Sequence, residues 1–389
     1  MLNNEAQELN NKARESEKTS YKSDTSRNNP IKTQILKIND ITTAELKKYF
    51  ASYPVAIPTE TVYGLASSIS NIKTTPMIYK IKNRPAVNPL ILHVVSREML
   101  EKYVEFVPQV YEPLIKKYWP GPLSLIFKAN DFTKNIIDSE YVCIRMPVHE
   151  TAQKVIHALN EGVFAPSANV SGRISPTTSK HVFDEFDGKI ELIIEGGKCE
   201  FGLESSIFDY RSLTVLRPGR VTFEEIQQVI EENQMNFTNI LNNSTNITNN
   251  SKKAVLCPGT MFKHSSPDCS LHLFNNESEL DSILKEIKNE PKYRKIGILH
   301  IKELVISKEF NDFMRYKHTD YNNIGNRRES NYREIIEFSL GSTNSEISYN
   351  LYDFLRMADS VCDILICETV EKKGSGMAIM DRLERAAEK

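Results

Sequence analysis

Eight residues do most to fix what this chain can become: Pro58 to Leu65, PTETVYGL, directly after the apolar run VAI. An apolar run that breaks into a proline-led polar turn puts hydroxyls and a carboxylate at a strand end, where open α/β sheets gather ligands. The same letters also suit a strand-to-helix connection in which Thr59 or Thr61 only caps the next turn. The balance tips because four more polar segments, KNRPAVNPL, RMP, APSANVSG and LRPG, punctuate the same half of the chain. Turns placed at random rarely repeat one theme.

Helical patterns at TTAELKKYF, PMIYKIKN, REMLEKYVE, PQVYEPLIKKYW, HETAQKVIHALNE, KHVFDEFD and TFEEIQQVIEEN interleave with strand patterns at VAIP, LILHVV, LSLIFKA, YVCIRMP, VFAP, IELIIEGG, SSIFDY and TVLRPG. The alternation is not strictly βα. The expected fold class is therefore α/β, a twisted mixed open sheet covered by helices. At 389 residues the chain exceeds one ordinary domain. Residues 1–33, rich in Asn, Ser, Lys and Glu, are expected to be a disordered tail. Residues 34–235 form the main domain, and 236–273 an Asn-rich linker followed by an extended strap, LCPGTMFKHSSPDCSL. Residues 274–389 are expected to form a small Rossmann-like α/β domain without a GxGxxG or Walker sequence, interrupted by a disordered insertion at 307–334. That second domain reads as a packing or covering lobe without chemistry.

Lys plus Arg is 49 and Asp plus Glu 51, a net charge of −2 that supplies no bulk drive toward nucleic acid or anionic membrane. The six cysteines form no CxxC pair, so neither a zinc ribbon nor a disulfide framework is indicated. No apolar run reaches the roughly 20 residues of a membrane helix, and the first residues lack an apolar signal core. The expected compartment is the cytoplasm, with a mitochondrial pool left open.

The residues that could carry chemistry are cationic or hydroxylic. Lys82 and Arg84 sit in a loop stiffened by Pro85 and Pro89, which hold Arg84 and Asn88 extended; it suits an anion, although a solvated basic turn reads the same way. His93 alternates with apolar neighbours, the usual pattern of a packed core histidine. Arg145 ends a strand before a proline, a poor place for a charge unless a carboxylate or ligand meets it. Ser167 and Asn169 offer short polar groups in a loop, as does an Asx or Ser turn. Ser205, Ser206 and Arg217 repeat the theme. With no HExxH, Ser-His-Asp order or paired-carboxylate signature, the inventory suits a site that works by positioning and charge stabilisation.

In order, PTETVYGL, KNRPAVNPL, WPGPLS, RMP, APSANVSG, GLESSI and LRPG resemble the YrdC-like threonylcarbamoyl-AMP synthases over about residues 40 to 230. PGTMFKHSSP is similar to the strap of the long two-domain members, with Thr260, Met261 and Ser265 at departures from it, and GSGMAIMDRLERAA is similar to the end of their second domain. The resemblance implies a nucleotidyltransferase that joins L-threonine, bicarbonate and ATP, with Mg²⁺ on the phosphates, into threonylcarbamoyl-AMP and pyrophosphate. A downstream tRNA threonylcarbamoyl transferase would take the product to the adenosine beside the anticodon. Contact with tRNA is not required, and no tightly bound cofactor or membrane partner is implied. Carried over by position, Thr59, His93, Arg145, the Ala165 backbone and Ser205 would hold threonine. Arg84, Asn88, Ser167, Asn169, Ser175, Arg217 and His264 would hold ATP, with Tyr141, bulkier than the residue usual there, touching the nucleotide. Lys82 and Arg84 would serve the phosphates. The competing reading from another class is an RNA-binding module in the same cationic cavity, which calls for a wide basic surface with aromatic platforms. A carbamoyl transferase domain of a hydrogenase-maturation protein is disfavoured by the missing CxxC pairs.

Overall fold

The computed structural model describes residues 30–233, 265–302, 319–320 and 334–387. Most of residues 1–33, expected to be a disordered tail, most of the expected Asn-rich linker and strap with His264, and nearly all of the 307–334 insertion lie outside the described residues.

The first sheet has ten strands: β1 (Gln34–Lys37), β2 (Val55–Ile57), β3 (Gly64–Ser68), β4 (Ile91–His93), β5 (Leu123–Lys128), β6 (Tyr141–Arg145), β7 (Val163–Phe164), β8 (Leu192–Glu195), β9 (Ser206–Asp209) and β10 (Thr214–Arg217). Their spatial order is β1-β8-β2-β3-β7-β4-β6-β5-β9-β10. Parallel pairs (β1·β8, β8·β2, β4·β6, β5·β9) alternate with antiparallel ones, so the sheet is mixed as the loose βα alternation predicts. Helices α1 (Thr43–Ser52), α2 (Thr74–Lys82), α3 (Arg97–Glu101), α4 (Tyr111–Tyr118), α5 (Asp131–Ile137), α6 (Glu150–Leu159), α7 (Ser179–Phe186) and α8 (Phe223–Glu232) cover it. Their starts follow local chemistry. Thr42 and Glu45 make a reciprocal capping box for α1, as Thr222 and Glu225 do for α8, satisfying amides that the first turn leaves unpaired. The α2 helix stops at Asn83, whose φ of 49° lies in the left-handed region that asparagine tolerates.

Three elements escaped the sequence reading. β3 is made of Gly64, Leu65, Ala66, Ser67 and Ser68, weak strand formers that are held by β2 on one side and β7 on the other and are buried throughout. β1 is a four-residue edge strand, exposed except at half-buried Leu36, with no alternation to signal it. α5 is seven residues long and begins on an Asn130 cap. Order also begins earlier than position 34, since buried Thr33 donates to Ile190 O at 2.6 Å.

The second sheet has the order β11-β15-β12-β14-β13, from β11 (Ser270–Phe274), β12 (Lys295–His300), β13 (Thr319–Asp320), β14 (Glu334–Ser339) and β15 (Ile364–Glu368). Every described pairing in it is parallel. Helices α9 (Glu277–Lys288), α10 (Asn344–Val361) and α11 (Gly376–Ala387) complete the domain. β11 starts inside the range read as strap, 236–273, because SLHLF finds a ladder on β15 that local proline content could not reveal. The two domains share apolar packing: Val62, Ile174 and Leu203 of the first lie in one buried cluster with Leu271, Leu351, Leu355 and Leu383 of the second. Among the described residues no helix is long and apolar enough to cross a membrane.

Candidate active site

The polar turns predicted from sequence converge because the sheet pairs the strands that carry them. His93 on β4 lies opposite Arg145 on β6, and Arg145 opposite Ser124 on β5, so these three Cα positions form one row across neighbouring strand ends. Residues in register share a face. The PTETVYGL turn is tied to the APSANVSG loop by backbone bonds, Leu65 N–H donating to Pro166 O at 2.7 Å and Ala168 N–H to Tyr63 O at 2.8 Å, and Tyr63 N–H donates beyond it to Pro176 O at 2.9 Å. Tyr63 itself is an anchor, fully buried, with its hydroxyl donating to Gly197 O at 2.8 Å.

These pairings enclose a polar cavity at the strand ends. Of the residues expected to hold ligand, Thr59, Arg84, His93, Arg145, Ala165, Ser167, Ser205 and Arg217 line it. Thr59 Oγ1 donates to Val62 O at 2.7 Å and lies 2.9 Å from Thr61 Oγ1, closing its own turn rather than capping a helix. Arg145, 3% exposed, donates from Nε to Gly121 O (3.1 Å), from Nη1 to Thr61 Oγ1 (2.8 Å) and from Nη2 to Glu60 Oε1. A guanidinium has five N–H donors, so two are left for an incoming carboxylate. Burial, reinforced by the Arg145 charge, pushes His93 down to about 3, and its Nδ1 sits 3.2 Å from Ile91 O. The ring is neutral at physiological pH and is both packed, as its strand pattern predicts, and part of the cavity wall.

On the other side, Arg84 Nε donates to Asn88 O (3.1 Å) and Nη2 donates to Asn88 Oδ1 (2.8 Å) and Pro89 O (2.6 Å). The proline-stiffened loop thus holds one edge of the guanidinium and leaves Nη1 for a ligand. Burial lowers this arginine to about 10, with the Arg217 charge acting in the same direction. Arg217 donates from Nε and Nη2 to Ser205 O at 3.0 and 2.9 Å, and from Nη2 to Ser205 Oγ at 3.1 Å. Ser205 Oγ also lies 2.7 Å from Ser124 Oγ.

The remaining expected residues stand behind or beside the cavity. Lys82, 1% exposed, donates from Nζ to Ser167 O and Asn169 O at 2.5 Å each, so its ammonium ties the APSANVSG loop to α2. Burial holds its pKa well below the usual lysine value, with Arg84 adding to the shift. Asn88 supports Arg84. Buried Asn169 donates from Nδ2 to Val170 O and Arg173 O at 2.8 and 2.7 Å. Fully buried Ser175 donates to Glu204 Oε1 at 2.6 Å. Tyr141 lies two alternations from Arg145 on the same face of β6 and lines an apolar recess with Tyr79, Val87, Leu90, Ile126 and Cys143, which meets the cavity at Pro89. The Arg211 guanidinium sits 3.8 Å from the centre of the Tyr141 ring.

Two family models match the chain, one described as telomere recombination, for proteins of the Sua5, YciO and YrdC type, over residues 51–219, and one described as the threonylcarbamoyl-AMP synthase C-terminal domain over residues 221–388. A threonylcarbamoyl-AMP synthase of Pyrococcus abyssi is 34% identical over 343 residues, covering 86% of this chain and 90% of that one. The chain belongs to the threonylcarbamoyl-AMP synthase family. Another member, from Schizosaccharomyces pombe, is 34% identical over 369 residues, covering 86% of this chain and 85% of its own. The crystal structure of P. abyssi Sua5 complexed with L-threonine superposes with a TM-score of 0.71 at 32% identity, covering 91% of this chain and 98% of that one. Both family models lie on this chain, which places it with the two-domain threonylcarbamoyl-AMP synthases.

Sequence reasoning put a carboxylate at the PTETVYGL strand end without giving it a role, and passed over Glu204. Glu60, 2% exposed, is the carboxylate that Arg145 was expected to need, and it stood in the PTETVYGL segment itself. Glu204, in GLESSI, lines the cavity and pairs with Arg382 of the second domain at 2.9 Å. No local pattern could announce that partner, 178 residues away.

Proposed function

We propose that this chain makes threonylcarbamoyl-AMP from L-threonine, bicarbonate and ATP, releasing pyrophosphate, in the pathway that modifies tRNA beside the anticodon. The observation that carries the reading is the division of one sheet face. Its Arg145 row is a compact set of buried hydroxyls and guanidinium donors that runs through Ser124 to Arg217, Arg84 lines the same cavity, and its Tyr141 end is an apolar recess. Four residues of extended chain separate Arg145 from Tyr141, about 13 Å, which suits an amino acid at one end and a purine nucleotide along the rest.

In this arrangement the two remaining N–H groups of Arg145 take the threonine carboxylate, while Thr59, Ser205 and neutral His93 surround its hydroxyl and amine. The amine attacks bicarbonate and water leaves, giving the carbamate; a carbamate oxygen then attacks the α-phosphate in line, and the bond to pyrophosphate breaks. Arg84 and Arg217 meet charge that builds on the phosphates, and because their loops already fix them, no reorganisation accompanies the step. Lys82 acts here by holding the loop of Ser167 and Asn169. Both nearby carboxylates are engaged by arginines, so Mg²⁺ would be held by phosphate oxygens and water rather than by a protein cage.

The test is pyrophosphate release by the purified chain with ATP, with and without L-threonine and bicarbonate, serine serving as the control amino acid. Release that requires threonine and bicarbonate together is the expected result. A folded chain that releases none overturns the reading.

A further inference from the structure

We infer that Glu204 is a positioning residue for the nucleotide side of the site, and that the second domain sets it through Arg382 and Tyr352. The inference rests on the proposed function, and its argument starts from an oddity of charge. A carboxylate that lines a cavity built for anions is adverse, and one that is 5% exposed is costly unless it is paired and hydrogen-bonded. Among the described residues, two of the three hydrogen bonds to Glu204 come from the other domain. Its Oε2 accepts from Tyr352 OH at 3.0 Å and from Arg382 Nε at 2.9 Å; its Oε1 accepts from Ser175 Oγ at 2.6 Å.

The directions of these bonds follow from the donors. Arg382 can only donate, and the Tyr352 hydroxyl, having accepted from Ser265 Oγ at 2.8 Å, gives its own proton to the carboxylate. Arg382 also donates from Nη2 to Pro218 O at 2.9 Å, beside Arg217. One guanidinium from α11 therefore fixes both the carboxylate that orients Ser175 and the turn that carries Arg217. Arg382 and Tyr352 are 2% and 0% exposed, so water does not substitute for either. None of these bonds goes to His93 or Arg145 themselves; the threonine row is reached only at one remove, through Arg217, which donates to Ser205, itself 2.7 Å from Ser124 Oγ. The second domain thus acts first on the nucleotide side, through Ser175 and the Arg217 turn, which a lobe that merely covers the site would not do.

Calorimetric titration of the full chain with ATP and, separately, with L-threonine tests this in wild type, Tyr352→Phe, Arg382→Lys, Ser175→Ala and the Ser175→Ala/Tyr352→Phe double variant. Loss of one hydrogen bond to a charged group should weaken ATP binding about tenfold in Tyr352→Phe, with threonine binding changed less than about twofold. The double variant should bind ATP no more weakly than Ser175→Ala, because both substitutions act through Glu204. Unchanged ATP affinity in both Tyr352→Phe and Arg382→Lys, equal weakening of both ligands, or effects that multiply in the double variant would overturn the inference. A wild type that binds ATP yet releases no pyrophosphate would overturn the function proposed above, while the binding ratios still decide the role of Glu204. A wild type that binds no ATP overturns both.

Discussion

Replacing Glu60 by alanine isolates the charge balance at the threonine end. Arg145 and Glu60 are 3% and 2% exposed, and the carboxylate also accepts from Val148 N–H at 3.3 Å. Removing one partner of a buried ion pair leaves the other charge uncompensated, a loss of about 3–5 kcal/mol. For a unit of the first domain's size, each kcal/mol moves the midpoint by about 2–4 °C, so the transition that responds to threonine should fall by roughly 6–20 °C. Threonine should then return part of that loss. Its carboxylate replaces the missing counter-charge on Arg145, and a hydrogen bond to a charged group contributes about 1.5–3 kcal/mol. The shift produced by saturating L-threonine should therefore be larger in Glu60→Ala than in wild type. Glu60→Gln, which keeps an acceptor but loses the charge, should fall between them. Differential scanning calorimetry with threonine and with threonine amide, which lacks the carboxylate, reads all three. A Glu60→Ala chain that unfolds at the wild-type temperature, or that gains no more from threonine than from the amide, refutes the reasoning.

Three other outcomes are expected. Arg84→Ala should abolish pyrophosphate release while circular dichroism shows the fold intact, because the loop keeps Pro85 and Pro89; normal turnover would remove Arg84 from the site. His93, with a folded pKa of about 3 against 6.5 unfolded, contributes stability that is present above pH 6.5 and lost as pH falls toward 3, at most ~5 kcal/mol; His93→Gln should flatten that part of a pH–denaturation profile, and an unchanged profile would contradict it. Gly219→Ala would place a Cβ 2.3 Å from Ser206 N and 2.6 Å from Ser205 C, and overpacking against backbone that cannot swing aside should cost about 1–3 kcal/mol and reduce turnover; full stability in urea titration would show that the turn yields.

What could be read from the letters was what local rules govern. The capped helices, the apolar strands and the proline-led turns follow from spacing and side-chain type, and the ordered turns brought Thr59, Arg84, His93, Arg145, Ala165, Ser167, Ser205 and Arg217 to one cavity as expected. What escaped depended on partners distant in sequence. β3 is a strand because β2 and β7 flank it, not because Gly, Ala and Ser favour extension. Lys82 was expected to face the phosphates, yet its Nζ turns to two carbonyls of a loop 85 and 87 residues away. Tyr141 was expected only to touch the nucleotide, and the recess it lines needs Tyr79 and Leu90 from outside its strand. The second domain read as a lobe without chemistry because nothing near Arg382 hints at Glu204.

The shared cluster of Val62, Ile174 and Leu203 with the second domain's core bears on how such a protein could be recombined. Val62 belongs to the PTETVYGL turn and lines the cavity, and behind the cavity wall it joins the second domain's buried cluster. A chimaera that joins this first domain to a relative's second domain would have to match three apolar side chains and at least two guanidinium groups, Arg356 on Glu185 and Arg382 on Glu204, at once. The cavity wall and the far domain are therefore exchangeable only together, as a single inherited part.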